Sequence, residues 1–179
     1  MLKLENSLLL IIDVQEKLFS VIHEREILLS NLLKLVKGIN ILNVPIIFTE
    51  QNPAGLGKTL SEITELISSA GAPVKFSFSC CGETEIINQI RTSKRNQILV
   101  CGIEAHICVY QTSLDLLSGG YEVHLVSDCV SSRSAQNREL ALRRLEREGV
   151  KVSGVEMALF ELLQTAKAPQ FKAISALVK

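Results

Sequence analysis

Charge of either sign is not in excess in this sequence: 19 Lys and Arg stand against 19 Asp and Glu. No basic stripe is visible, so the charge pattern points away from a nucleic-acid partner. Long apolar runs are missing too. The chain is 47% hydrophobic, yet no run approaches the ~20 residues that span a bilayer, and no membrane partner is expected. The stretch Met1 to Ser7 has one Lys and one Glu and leads straight into an apolar run; it reads as neither signal nor transit peptide. The five cysteines are an odd number and lie mostly in strand-like or core-like contexts. That argues against a disulfide framework and for a reducing compartment, the cytoplasm. Cys80 and Cys81 lack a second pair or a nearby His, so no zinc site is expected. Gly102 stands alone, which excludes a dinucleotide fingerprint and a Walker loop. Leu at position 114 excludes a Cys-x5-Arg phosphatase loop starting at Cys108. Repeats, low-complexity stretches and linkers are absent, and 179 residues suit one domain, 1–179.

What is present is a regular alternation. Residues 8–12, Leu-Leu-Leu-Ile-Ile, form a continuous apolar run that suits a strand buried on both faces. Leu28, Leu32, Leu35, Val36, Ile39 and Leu42 then make one helical stripe. A second strand is expected over 46–49, and a Gly- and Pro-containing loop over 51–58. Thr59 or Ser61 could cap a short helix running through Ile67. A brief third strand precedes Lys75, and Ile86, Ile87 and Ile90 mark a helix over 83–93. The fourth strand, 98–101, breaks at Gly102, and a helix follows with Ile107, Tyr110, Leu114 and Leu117 on one face. A fifth strand over 121–126 ends near Asp128. A charged helix starts at Ser134 and stops at Gly149. A sixth strand covers 151–153, and a long last helix covers 155–165, broken by Pro169. Strands alternating with helices predict an α/β three-layer sandwich on a mainly parallel six-stranded sheet.

In an open parallel sheet, ligands bind beyond the carboxyl ends of the strands near the topological switch point. Asp13 follows the first strand, Lys75 the third, and Cys108 enters the helix after the fourth. Each has an ordinary alternative: a helix cap, a solvated lysine, a small buried hydrophobe. A thiol in the first turn of a helix feels unpaired N–H groups and the positive end of the dipole, which favour thiolate. A free thiol of pKa about 8.5 is only ~3% thiolate at pH 7. Lowering it by two units requires ~2.7 kcal/mol, which one ammonium and a helix N-terminus can supply. Cys108 is therefore expected to be mostly ionised. His106 is no partner for it, because helix positions two apart diverge by about 200°.

The segments Leu-Leu-Ile-Ile-Asp13-Val-Gln15, Lys75-Phe-Ser-Phe78 and Gly102-Ile-Glu-Ala-His-Ile-Cys108-Val-Tyr-Gln-Thr resemble the isochorismatase-like cysteine hydrolases. That superfamily includes nicotinamidases and N-carbamoylsarcosine amidohydrolase. The similarity continues through Gly120 to Ser134 and Glu156 to Phe160, in the right order over nearly the whole chain. The loop Thr49-Glu-Gln-Asn-Pro-Ala-Gly-Leu-Gly57 looks most like the branch of isochorismatase domain-containing proteins. The resemblance implies a Rossmann-like sheet of order 3-2-1-4-5-6 and a triad of Cys108 as nucleophile, Asp13 as general base and Lys75 as the cation. It further implies an oxyanion site from the backbone N–H groups of Glu104 and Cys108, with a cis peptide between Ile103 and Glu104. The substrate would be a small amide, ureido compound or related carbonyl, cleaved at a non-peptide C–N bond. Nicotinamidases carry an Asp-x-His and a further His for a metal. Here strand two ends Thr49-Glu50-Gln51 and no His lies between His23 and His106, so neither metal nor other cofactor is expected. Gln15, Phe19, Phe76 and Phe78 are candidates for the substrate pocket, with core packing the alternative for the three aromatics. A homo-oligomer is implied by family precedent, and the apolar tail Ala173 to Val178 would suit a subunit contact. The rival readings are a non-catalytic scaffold that keeps the fold, and isochorismatase-type ether hydrolysis. The latter is disfavoured because true isochorismatases typically lack cysteine at the position of Cys108.

Overall fold

The computed structural model describes residues 1–67 and 71–179. Among these, six strands form one sheet in the order β3-β2-β1-β4-β5-β6, and every pairing is parallel. The strands are β1 (Ser7–Ile12), β2 (Ile46–Gln51), β3 (Val74–Lys75), β4 (Gln97–Ile103), β5 (Glu122–Ser131) and β6 (Lys151–Ser153). Central β1 and β4 are buried along their whole length, as the unbroken apolar runs require for a sheet covered on both faces.

The strand period of two divides the core. Leu9 and Ile11 join Leu99 and Cys101 on one face, beneath α2 (Arg25–Ile41), α8 (Val155–Leu163) and α9 (Phe171–Val178). Leu8, Leu10 and Ile12 join Ile98 and Val100 on the other, beneath α5 (Thr84–Thr92), α6 (Tyr110–Ser118) and α7 (Ala135–Arg147). The predicted stripe of α2 is buried at Leu28, Leu32, Leu35, Val36 and Ile39. Among the described residues, no helix is long and apolar enough to cross a membrane.

Several expectations need correction. The loop over 51–58 contains a helical turn, α3 (Pro53–Leu56), with Pro at its permitted first position. The helix expected to reach Ile67 is only α4 (Ser61–Thr64), and turns of i→i−3 bonding carry on from it. Thr59 does not cap it: its N–H and hydroxyl both bond Glu50, at 2.7 and 2.9 Å. β5 does not stop near Asp128. It runs on because Cys129 and Val130 are buried, while the Asp128 carboxylate leaves the strand to accept the Val155 N–H at the start of α8. The tail is not a free apolar segment either. Residues 171–178 form α9, packed on α2 and α8 with Ile174 fully buried, while Ala173 and Ala176 stay exposed.

Candidate active site

The carboxyl ends of β1, β3 and β4 bring the three reactive side chains together. Asp13 directly follows β1 in a left-handed conformation, φ 53°, which an Asp tolerates better than most residues. Its Oδ1 accepts the Thr49 hydroxyl at 2.8 Å. Its Oδ2 lies 2.7 Å from Lys75 Nζ, and both side chains are completely buried. The ammonium also donates to Gln51 Oε1 at 2.6 Å and to the carbonyls of Phe78 and Ser77 at 3.0 and 3.2 Å. Its three N–H bonds are thus taken by uncharged acceptors while the Asp13 carboxylate balances its charge, and the fully buried Lys75 is a fixed cation rather than a solvated one. Cys108 sits in a π-type turn, Ala105–Val109, that leads into α6; its thiol lines the same cavity as Asp13, near enough for the charges of Asp13 and Lys75 to act on it.

The electrostatics differ from the helix-terminus expectation. Burial, then the Asp13 carboxylate, push the Cys108 thiol up to about 12, and Lys75 offsets only part of this. The ammonium lowers the thiol, but the carboxylate paired with it raises the thiol more. Asp13 itself is raised above the usual carboxylate range, because burial outweighs the lowering by Lys75. Lys75 is raised too; burial opposes its charge, but Asp13 more than compensates. The resting site is thus an Asp13–Lys75 ion pair beside a neutral thiol.

The peptide between Ile103 and Glu104 is cis. The Glu104 carboxylate is buried and accepts the Arg133 backbone N–H at 2.9 Å and its Nε at 3.1 Å. Gly102, just upstream, has φ +117°. A Cβ there would meet the Ile12 backbone nitrogen at 2.6 Å, so only glycine lets β4 pass this close to the end of β1.

A cavity of 130 Å³ opens onto the sulfur, with Asp13, Cys108 and Glu104 at its base. Its walls are Leu18 in the helical turn α1 (Glu16–Phe19), Leu56, Phe78 and Ile107. Of the expected pocket residues, only Phe78 lines it. Gln15 is fully buried and used up structurally: its amide donates to the Gly57 and Gln51 carbonyls at 2.6 and 3.1 Å and accepts the Gln51 N–H at 2.7 Å. Phe19 packs against the core under α2. Phe76 is 71% exposed and lies off the cavity. Leu18, Leu56, Ile107 and Gln51 escaped the sequence reading; the one available signal was an apolar Leu56 between two glycines in a polar loop. A larger concavity of 750 Å³ between β2 and α5 is an open groove without cysteine, histidine or buried charge. Among the described residues, no group of three His, Cys, Asp or Glu side chains is placed to hold a metal.

Comparison with known proteins places this geometry. Residues 7–157 match the isochorismatase domain. The chain is 40% identical over 177 residues to isochorismatase domain-containing protein 2 of Danio rerio, spanning 99% of this chain and 89% of that one. It is 38% identical over 181 residues to the secreted isochorismatase effector Isc1 of Phytophthora sojae, spanning 97% and 85%. Among solved structures, it superposes on the MAR1 ribonuclease of Caenorhabditis elegans with a TM-score of 0.92 at 34% identity, over 99% of this chain and 91% of that one. From the order of its strands to the similarity along nearly its whole length, the chain belongs to the isochorismatase family of hydrolases.

Proposed function

We propose that the protein is a metal-independent cysteine hydrolase that cleaves a small amide, ureide or related carbonyl compound at a non-peptide C–N bond. The observation carrying this reading is the meeting of residues from three distant stretches: Asp13 and Cys108 line one cavity, and the buried Lys75 is paired with Asp13 behind it. A completely buried ion pair is costly to maintain, and placing it against a thiol is what an acid–base relay needs.

Cys108 Sγ attacks the carbonyl carbon as its proton passes to Asp13. Lys75 holds that carboxylate in place and favours negative charge on sulfur during the transfer. The backbone N–H groups of Glu104 and Cys108 are assigned to the tetrahedral oxyanion, where preorganised donors lower the barrier. The C–N bond breaks, and Asp13 returns the proton to the departing nitrogen. A water then attacks the thioester carbon, giving a proton to Asp13. The C–S bond breaks, the acid leaves, and the proton goes back to the Cys108 thiolate.

A panel of small amides and ureides, read by product release and by intact mass, tests the reading. Turnover with a transient acyl adduct on Cys108 is expected, and Cys108→Ala should lower it by at least about 10³-fold. Unchanged turnover in that variant would overturn the assignment. The C. elegans relative supplies the other reading, RNA cleavage. An equal count of acids and bases and a cavity of 130 Å³ favour the small molecule, and oligoribonucleotides in the same panel should remain intact.

A further inference from the structure

We infer that this site selects an uncharged, aliphatic acyl group of up to about six heavy atoms, and that Leu18, Leu56, Phe78 and Ile107 make that choice. The inference rests on the hydrolase reading for its chemistry but on the cavity walls for its specificity. At 130 Å³ the cavity is slightly smaller than the ~150 Å³ void that takes up a benzene molecule.

Two of the walls have no other evident purpose. Among the described residues, Leu56 and Phe78 join neither half of the core, although both are large and apolar. Phe78 is 54% exposed. Its carbonyl is bound by Lys75, which fixes the start of the side chain at the rim beside the ion pair. Leu56 is fixed just as firmly. Gln15 Nε2 grips the carbonyl of the next residue, Gly57, at 2.6 Å, and Lys17 Nζ binds the carbonyl of Gly55 at 2.9 Å. Gln15 precedes α1 and Lys17 lies within it beside Leu18, so the two aliphatic walls are stitched to each other. A Cβ at Gly57 would lie 2.8 Å from Glu16 Oε2, and its φ is +82°; glycine lets the loop close onto α1.

The charges leave no receptor for a charged acyl group. Lys75 spends its three N–H bonds on Gln51, Ser77 and Phe78, and its charge is balanced by Asp13. Glu104 is paired with Arg133. Among the described residues, no cationic side chain lines the cavity, and two carboxylates lie at its base. An anionic acyl group would be buried beside like charge without a partner. A cationic one would have to compete with Lys75 and Arg133 for carboxylates already paired.

Two measurements test this. The first is alkylation of Cys108 in the intact protein by neutral iodoacetamide and anionic iodoacetate, with 2-mercaptoethanol as the unbiased thiol; each forms an S–C bond and releases iodide. The ratio of rates should favour iodoacetamide by at least about 30-fold more than it does for the free thiol. Leu56→Lys should erase most of that preference, and Phe78→Ala, at an exposed position that folding tolerates, should weaken it. A ratio equal to that of 2-mercaptoethanol, or one untouched by both variants, overturns the inference even if the protein hydrolyses amides. The second measurement is kcat/KM for linear amides from acetamide to octanamide, with succinamate as the anionic comparison. It should rise about fourfold per methylene until the cavity is full, then fall, with Leu56→Ala moving the optimum to longer chains. No turnover of any amide, with the alkylation bias intact, sinks the hydrolase reading and leaves the selectivity of the walls standing. Succinamate processed as well as butyramide sinks the selectivity alone.

Discussion

The relay proposed for Asp13, Lys75 and Cys108 turns on one proton, and where it rests determines how the site is charged before substrate arrives. Helix-terminus electrostatics alone point to a preformed thiolate. The structure instead commits the ammonium to Asp13 at 2.7 Å and leaves the thiol pushed up to about 12. Reactivity then comes from transfer to Asp13 during attack, not from ionisation beforehand. This has a kinetic signature. An unassisted thiol alkylates about tenfold faster per pH unit below its pKa. Cys108 should instead follow the ionisation of Asp13, which takes the proton, and level off once Asp13 is ionised. The rate should fall in acid as Asp13 protonates, at a pH above the ordinary carboxylate value. Asp13→Asn should slow alkylation by about 10²-fold or more and restore the unit slope. A wild-type profile with unit slope from pH 6 to 9 would rule out the Asp13 relay. The residue types were legible in the sequence. The protonation state was not, since it depends on burial and on which partner claims Lys75.

At the scale of elements, the site depends on how β1 and β4 end. They pair in register from Ser7 with Gln97 to Ile12 with Gly102, so Asp13 and the turn bearing Glu104 and Cys108 leave the sheet side by side. Gly102 permits this approach. Gly102→Ala forces a Cβ into the Ile12 backbone at a positive φ. It should cost about 2–4 kcal/mol and displace Asp13, so that both the urea midpoint and the rate of Cys108 alkylation fall. A loss below ~0.5 kcal/mol with normal alkylation would show that the ends can separate harmlessly. Sequence pattern found the long elements well, because β1, β4 and α2 repeat their burial over several residues. It missed α3 and α9, whose eight or fewer residues carry too little periodicity. It also overlooked Leu56 as a pocket wall, since nothing local distinguishes it from a stray loop hydrophobe.

For the whole molecule, the sheet separates function from anchoring. Asp13, Lys75 and Cys108 collect at the carboxyl ends, while another polar network lies toward the start of β4 and β5. There Gln97 joins the Met1 carbonyl to Glu122, and Glu122 also meets His124 at 2.6 Å and Lys151 at 3.0 Å. Burial pushes the Glu122 carboxyl up, but the bonds from His124, Lys151 and Gln97 more than reverse this and hold it at about 2. A depressed carboxyl pKa adds stability that is present above the unfolded value near 4.5 and is lost as pH falls toward the folded one. Glu122→Gln should therefore lower the urea midpoint at pH 6, and its gap from wild type should narrow progressively from about pH 5 downward. A gap that stays constant down to pH 3 would assign the effect to packing rather than charge.

The α/β class, the succession of strands and helices, and the choice of Asp13, Lys75 and Cys108 as residues meeting at one edge were determined by the sequence alone, through unbroken apolar runs, helical stripes and an ordered set of motifs. These are local or collinear properties, written along the chain. The commitment of Lys75 to Asp13, the neutral thiol, the walls of the cavity and the burial of the C-terminal helix were decided only by the tertiary structure. Each depends on distances between residues far apart in the chain and on the exclusion of water around them, which exist only once the sheet has brought those stretches together.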